Sequence, residues 1–369
     1  MTARIMTASH APVRQSSVRA HNLALVLQTV ANSADRPSRA AIAALTGLTR
    51  ATVSALVDDL IAGGLLTEHD PAPRTGAGRP AAGLALSSDG PAGLGLEINV
   101  DYLAACVVSL TGEVRHRIVA HSDQRTLSPA AALGALDALA GQARVAAAAD
   151  GLTLAGAALA VPGLVAADGL VRVAPNLGWQ DVDVPALLPG LAGLPLIVDN
   201  EANLAALASA EGERTFLYVS GEIGIGAGIV LDGELYRGGR GWSGEIGHVT
   251  VYPDGRPCRC GANGCLEQYA GQEQVAADAA LAASALGIAL AAVVNLLDIG
   301  VIVLGGAYAP EFPQLRAGIE AELTRRVLTS GLAPVTLRAA TLGPDAAMRG
   351  AADAVLQSVR DNPAEWLSR

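Results

Sequence analysis

At 369 residues the chain exceeds one small domain, since domains run to ~100–200 residues, so two or three are expected. It is 51% hydrophobic and 16% charged, which excludes a disordered chain. The net charge of −10 is uneven: residues 1–90 hold 8 Arg against 6 Asp and Glu, a net of +2, while the remainder carries −12. An acidic bulk argues against a large nucleic-acid-binding body and leaves room for a small N-terminal module that binds DNA.

Residues 1–18 show no hydrophobic period and read as a flexible arm. From His21 to Ala31, Leu23, Val26, Leu27 and Val30 recur at helical spacing. Ser38 precedes a short helix from Arg39 to Leu45, Thr46-Gly47-Leu48 forms a tight turn, and Thr49 caps a third helix that closes at Gly63-Gly64. Strands at Leu65–Glu68 and Ala82–Leu86 flank a loop rich in Pro, Gly and Arg. Three helices followed by a two-stranded ribbon make a winged helix-turn-helix over residues 19–88. The third helix would offer Thr49, Arg50, Thr52 and Ser54 to the bases, and the wing would set Arg74 and Arg79 on phosphate or in the minor groove.

After Gly90 the texture changes to α/β. Strands are expected at Leu94–Ile98, Tyr102–Leu110 and Val114–Ala120, then an Ala-rich helix over 129–149, buried strands at Leu154–Val161 and Leu196–Asp199, and a helix from Ala202. The motif then repeats, with strands at 215–219 and 227–231, a helix over 275–297 and a strand at 301–304. Two similar halves imply two lobes, 89–205 and 206–355, with a cleft between them and a tail over 356–369. The most apolar stretch, 281–304, is interrupted by Ser284, Gly287, Asn295, Asp298 and Gly300. With no clean run of ~20 apolar residues and no cleavable leader, a cytoplasmic chain without a membrane partner is expected.

The sharpest chemical signal is His248, Cys258, Cys260 and Cys265. Three thiols within eight residues, beside one imidazole and shaped by Gly261 and Gly264, match a closed tetrahedral zinc site. Cys106 stands alone in a strand.

Gly244-Glu245-Ile246-Gly247-His248, followed by CRCGANGCLEQYA over 258–270, resembles the signature of the ROK family of repressors, unassigned frames and sugar kinases. The resemblance covers about Gly93 to Val355, and the winged helix in front is similar to the repressor branch. It implies a two-lobed actin-like ATPase (ribonuclease-H-like) fold and a sugar site. Asn176 of Pro175-Asn176, Asn200, Glu201, Glu245, His248 and Glu267 match its sugar-binding positions, and Glu201 also stands where the kinases carry their general-base Asp. His248 would then serve zinc through one nitrogen and a sugar hydroxyl through the other.

The phosphate loops depart from the kinase pattern. Where the kinases have D-x-G-G-T, this chain reads Glu97-Ile98-Asn99-Val100-Asp101, and the second loop, Gly221 to Gly226, puts Glu222 where a Thr belongs. Carboxylates there repel phosphate. The chain is also shorter than the family pattern between Gln274 and the helix leading to Asn295. The expectation is a sugar-responsive repressor of carbohydrate genes that binds operator DNA as a homodimer or homotetramer and has no kinase activity. The rivals are an ATP-dependent sugar kinase with an appended DNA-binding domain and a regulator that senses a partner protein.

Overall fold

The structure, a computed structural model, describes residues 15–70, 82–166, 168–221 and 224–369. These fall into two compact units: the described residues through Pro91 together with Gln357–Arg369, and Ala92–Leu356.

The first unit opens with α1 (Gln15–Ala31), α2 (Arg39–Thr46) and α3 (Arg50–Ala62). α1 starts inside the stretch expected to be an arm, because buried Leu23, Val26, Leu27 and Val30 establish a helix that extends backward through polar residues. Local chemistry sets the next boundaries. Ser38 Oγ accepts from Ala41 N at 3.2 Å, Gly47 ends α2 at φ 73°, and Thr49 Oγ1 accepts from Thr52 N at 3.2 Å. The bend from α2 to α3 is 117°, within the ~90–120° of helix-turn-helix pairs. Ile42, Val53, Val57 and Leu60 are fully buried between the helices. β1 (Leu66–His69) and β2 (Gly83–Leu86) pair antiparallel, Leu66 against Leu86. Arg74 and Arg79, on the connection between them, lie outside the described residues.

In the second unit, lobe one contains β3 (Pro91–Ile98, entering from the first unit), β4 (Tyr102–Ser109), β5 (Val114–His121), α4 (Pro129–Ala149) and β6 (Thr153–Val161). It continues with β7 (Leu164–Val165), β8 (Leu170–Ala174), β9 (Trp179–Asp183), β10 (Leu196–Asn200) and α5 (Glu201–Ala208). Lobe two has β11 (Phe216–Gly221), β12 (Ile225–Leu231), β13 (Glu234–Leu235), α6 (Glu267–Ala270), α7 (Gln272–Ala277) and α8 (Ala279–Leu297). β14 (Val301–Gly306), α9 (Tyr308–Arg326) and β15 (Thr336–Ala339) follow, and α10 (Ala346–Asp361) then packs back on β3 of lobe one. The main sheets run β10-β6-β3-β4-β5 and β13-β12-β11-β14-β15, the same order of three hairpin-joined strands flanked by two crossover strands. β7-β8-β9 form a small third sheet. This duplicated α/β topology is the two-lobed actin-like fold.

β3 is buried along its whole length. A Cβ on Gly95 would strike the backbone of Met348 and Ala352 in α10, so that helix rides directly on the strand. Gly95→Ala is therefore expected to lower stability by about 1–3 kcal/mol, the usual cost of overpacking, read as a lower denaturant midpoint with an unchanged slope. Among the described residues α8 alone is long and apolar enough to cross a membrane, but it packs against α6, α7 and α9 as a core helix.

The C-terminal residues, expected only as a tail, return to the first unit. The last turn of α10 and α11 (Pro363–Leu367) belong there: Trp366 Nε1 donates to Gly63 O at 2.9 Å, and Gln28 Nε2 donates to Asp361 Oδ1 at 3.0 Å.

Candidate functional site

Asn176, Asn200, Glu201, Glu245, His248 and Glu267, chosen from four separate stretches of sequence, all line one cavity of about 340 Å³ within the second unit. That volume is at the small end of the ~300–1,000 Å³ range of small-molecule sites. Asn99, Ser220 and Arg259 also line it and were not singled out as ligands from the sequence. Glycines of β12 and its entry sit against these side chains. A Cβ on Gly224 would stand 3.4 Å from Asn176 Nδ2, and one on Gly226 would stand 3.4 Å from Glu201 Oε1.

One half of the set comes from the junction of β10 and α5. Asn200 caps α5, its Oδ1 accepting from Ala202 N at 2.8 Å and Asn203 N at 3.3 Å, while its Nδ2 donates to Glu201 Oε2 at 2.7 Å and Gly163 O at 3.2 Å. The preceding Asp199 is buried and accepts from Asn203 Nδ2 and from Arg237 Nη1, at 3.1 and 2.5 Å. In the sequence, the one signal for Asp199 is an acid at the end of a buried strand, directly before Asn200, and Arg237 carries none.

The other half comes from the loop around Gly244–His248. Burial pushes the Glu245 carboxyl above the usual range; His248 opposes this shift and Glu267 adds to it. A carboxylate at this position can accept hydroxyl hydrogens from a polyol.

His248, Cys258, Cys260 and Cys265 form a cluster whose ligand atoms all lie within 4.8 Å of one another. Cys260 Sγ is 3.6 Å from Cys265 Sγ, against about 3.8 Å for two thiolates on one tetrahedral zinc, and His248 Nδ1 is 3.9 Å from Cys258 Sγ. The donor set and spacing thus fit a metal ion. The backbone brings the ligands together: Leu266 N donates to Val249 O at 2.9 Å, Cys258 N donates to Ala262 O at 2.8 Å, and Gly261 and Gly264 turn the loop at φ 94° and 73°. Since Nδ1 faces the thiols, Nε2 is left for the cavity that His248 lines. Within the cluster burial pushes the Cys258 thiol up to about 12, and the Ala262 N–H holds Cys260 down to about 7.

The first phosphate loop is closed on itself. Asn99 N donates to Tyr102 O at 3.0 Å, and Val100 N donates to Asn99 Oδ1 at 2.7 Å. Tyr102 O–H donates to Glu97 Oε1 at 2.5 Å, and Glu97 is buried. The N–H groups that a phosphate would need are therefore engaged, beside a buried carboxyl. Glu222, the second departure, lies outside the described residues.

In the first unit, Thr49 and Arg50 are exposed at the start of α3, whereas Thr52 and Ser54 are half-buried. Thr49 Oγ1 and Thr52 Oγ1 lie 2.8 Å apart, so capping engages part of this surface.

Together the fold and site define a two-lobed, sugar-kinase-like body with a Cys3His cluster that could hold a metal ion, preceded by a helix-turn-helix unit. The model of the ROK family matches residues 93–285 and 271–358, and the chain belongs to that family. The two matches overlap in the stretch where the second lobe is expected to be trimmed. The chain is 34% identical to the xylose repressor of Caldicellulosiruptor bescii over 265 residues, which cover 68% of this chain and 64% of the repressor. A crystal structure of a ROK family transcriptional regulator, a homolog of the E. coli MLC protein, superimposes with a TM-score of 0.80 at 23% identity over 95% of this chain and 100% of that one, a likeness of fold. The ROK hexokinase of Thermus thermophilus is 31% identical, with a TM-score of 0.63 over 73% of this chain and 99% of that one.

Proposed function

We propose that this chain is a cytoplasmic, sugar-responsive transcriptional regulator, a repressor of carbohydrate genes, that binds operator DNA as a homodimer or homotetramer. The observation that carries the reading is the convergence of six expected ligands on one small cavity, in a chain that also holds a helix-turn-helix unit. Asn176, Asn200, Glu201, Glu245, His248 and Glu267 hold the sugar; Thr49, Arg50, Thr52, Ser54, Arg74 and Arg79 meet DNA. Zinc is the metal held by His248, Cys258, Cys260 and Cys265, where it fixes the imidazole tautomer presented to the sugar. The xylose repressors among its relatives make a pentose or hexose the natural first probe. To act as a switch, the sugar must bind the DNA-competent and DNA-incompetent states with different affinity.

The closed first phosphate loop and Glu201 in the general-base position speak against phosphoryl transfer; a base displaced by ~1 Å costs ~100-fold in rate. The kinase reading is favoured by the similarity to the Thermus hexokinase. A melting screen decides between them. A sugar at ~100 times its dissociation constant adds ~2.7 kcal/mol. The expected result is a shift with one of D-xylose, D-glucose or a related sugar and none with Mg-ATP, with the same sugar altering retention of DNA duplexes selected from a random pool. ADP formation on adding sugar and Mg-ATP would instead establish the kinase.

A further inference from the structure

The buried carboxylate of Asp199 has a partner on the other lobe. Its Oδ1 accepts from Asn200 N at 2.8 Å and Asn203 Nδ2 at 3.1 Å, and its Oδ2 accepts from Arg237 Nη1 at 2.5 Å. Asp199 is 4% exposed, so Arg237, the one cation paired with it among the described residues, decides whether that charge is compensated. Arg237 follows β13 in lobe two, whereas Asp199 ends β10 in the sheet of lobe one.

Both partners are the first link of a short chain to a sugar ligand. On the Asp199 side, the next two residues are Asn200 and Glu201, and Asn203, gripped by Asp199, sits in the first turn that Asn200 caps. On the Arg237 side, Ser243 N donates to Arg237 O at 3.3 Å, Ser243 Oγ donates to Tyr236 O, and Ala227 N donates to Gly244 O at 3.0 Å. That closed loop delivers Glu245. The ion pair therefore spans the gap between the Asn200–Glu201 half of the cavity and the Glu245 half.

We infer that Arg237 and Asp199 are a positioning pair: by tying the β10–α5 junction to the loop after β13, they set the spacing of the two halves of the sugar site. The inference rests on the sugar-binding reading above, and it makes sugar affinity depend on two residues that do not line the cavity. An ordinary ion pair would affect only stability: taking Arg237 from the buried Asp199 carboxylate leaves that charge uncompensated and lowers the melting temperature, without acting on sugar affinity.

The test uses the zinc-loaded full chain, Arg237→Met, Arg237→Lys, Asp199→Asn and the double variant. D-Xylose and D-glucose are titrated calorimetrically, and amide exchange is followed in peptides covering 200–208 and 244–251. Arg237→Met is expected to weaken sugar binding at least tenfold, Arg237→Lys to recover part of the loss, and the double variant to lose less than the two single losses combined. Exchange should rise in both peptides together in Arg237→Met, without sugar, while zinc content stays at the parent value. Sugar affinity within twofold of the parent in Arg237→Met overturns the inference, as does exchange that rises in the 244–251 peptide alone. If the parent binds neither sugar, the sugar reading fails for those probes, and the exchange experiment decides the pair independently.

Discussion

Removal of zinc is expected to unfold the loop from His248 to Cys265 and to abolish sugar binding in the same step. The cause is local: the turns of this segment close around the cluster, and two of its four expected ligands, Cys258 and Cys265, are buried where three sulfurs converge, so a metal would tie the turns to one point. Structural zinc contributes about 10–16 kcal/mol of apparent binding energy near pH 7. Cys265→Ser should therefore weaken metal binding by more than the ~10–100-fold typical of an altered outer partner. Elemental analysis should give one zinc per parent chain and a sub-stoichiometric amount in the variant, with a lower melting temperature and no sugar heat. A variant that keeps a full complement of zinc and binds sugar normally would remove Cys265 from the ligand set.

The pH dependence of loading follows in sign. The metal takes thiolates, and burial pushes Cys258 up to about 12 and Cys265 upward as well. Loading therefore releases protons at neutral pH, and affinity falls as pH falls. The fall steepens below about 7, where Cys260, held down by the Ala262 N–H, also takes a proton. Zinc competition with a chromophoric chelator between pH 6 and 8 measures the slope; an affinity independent of pH over that range would exclude thiolate ligation.

The second large effect is expected at Asn200. This one amide caps α5, donates to Glu201 Oε2 and Gly163 O, and faces the cavity. Asn200→Ala should cost about 1 kcal/mol of stability through the lost cap. It should also weaken the sugar about 100-fold, near the upper end of the ~1–3 kcal/mol for leaving a desolvated partner unsatisfied. Asn200→Ser separates the two effects, because serine caps about as well as asparagine but cannot bridge Glu201 and Gly163. The expected result is a parental melting temperature with weak sugar binding and DNA binding no longer altered by sugar. A parental sugar affinity in Asn200→Ser would remove Asn200 from the site; if the change in DNA binding came instead from a partner protein, it would survive in both variants.

Much of this was legible in the chain because the chemistry involved is local. Ser38, Gly47 and Thr49 mark helix ends through bonds to residues three or four positions away. The metal cluster is likewise short-range: its ligands lie within one stretch, and glycine turns at 261 and 264 fold them together. The six cavity residues were found through the family resemblance, since nothing in their spacing alone brings Asn176 beside Gly224.

What the sequence did not reveal depends on contacts between distant segments. Arg237 is one exposed-looking arginine among 25 basic residues until folding places it on Asp199, 38 positions away. Glu97 reads as a bare repulsive charge until Tyr102 donates to it and Asn99 closes the turn. The last residues carry no hydrophobic period that points anywhere, yet Trp366 finds Gly63 across 303 positions. In each case a side chain acquires its role from a partner whose approach is set by sheet order and helix packing. One-dimensional periodicity encodes which face a residue occupies, but not which distant group will meet it there.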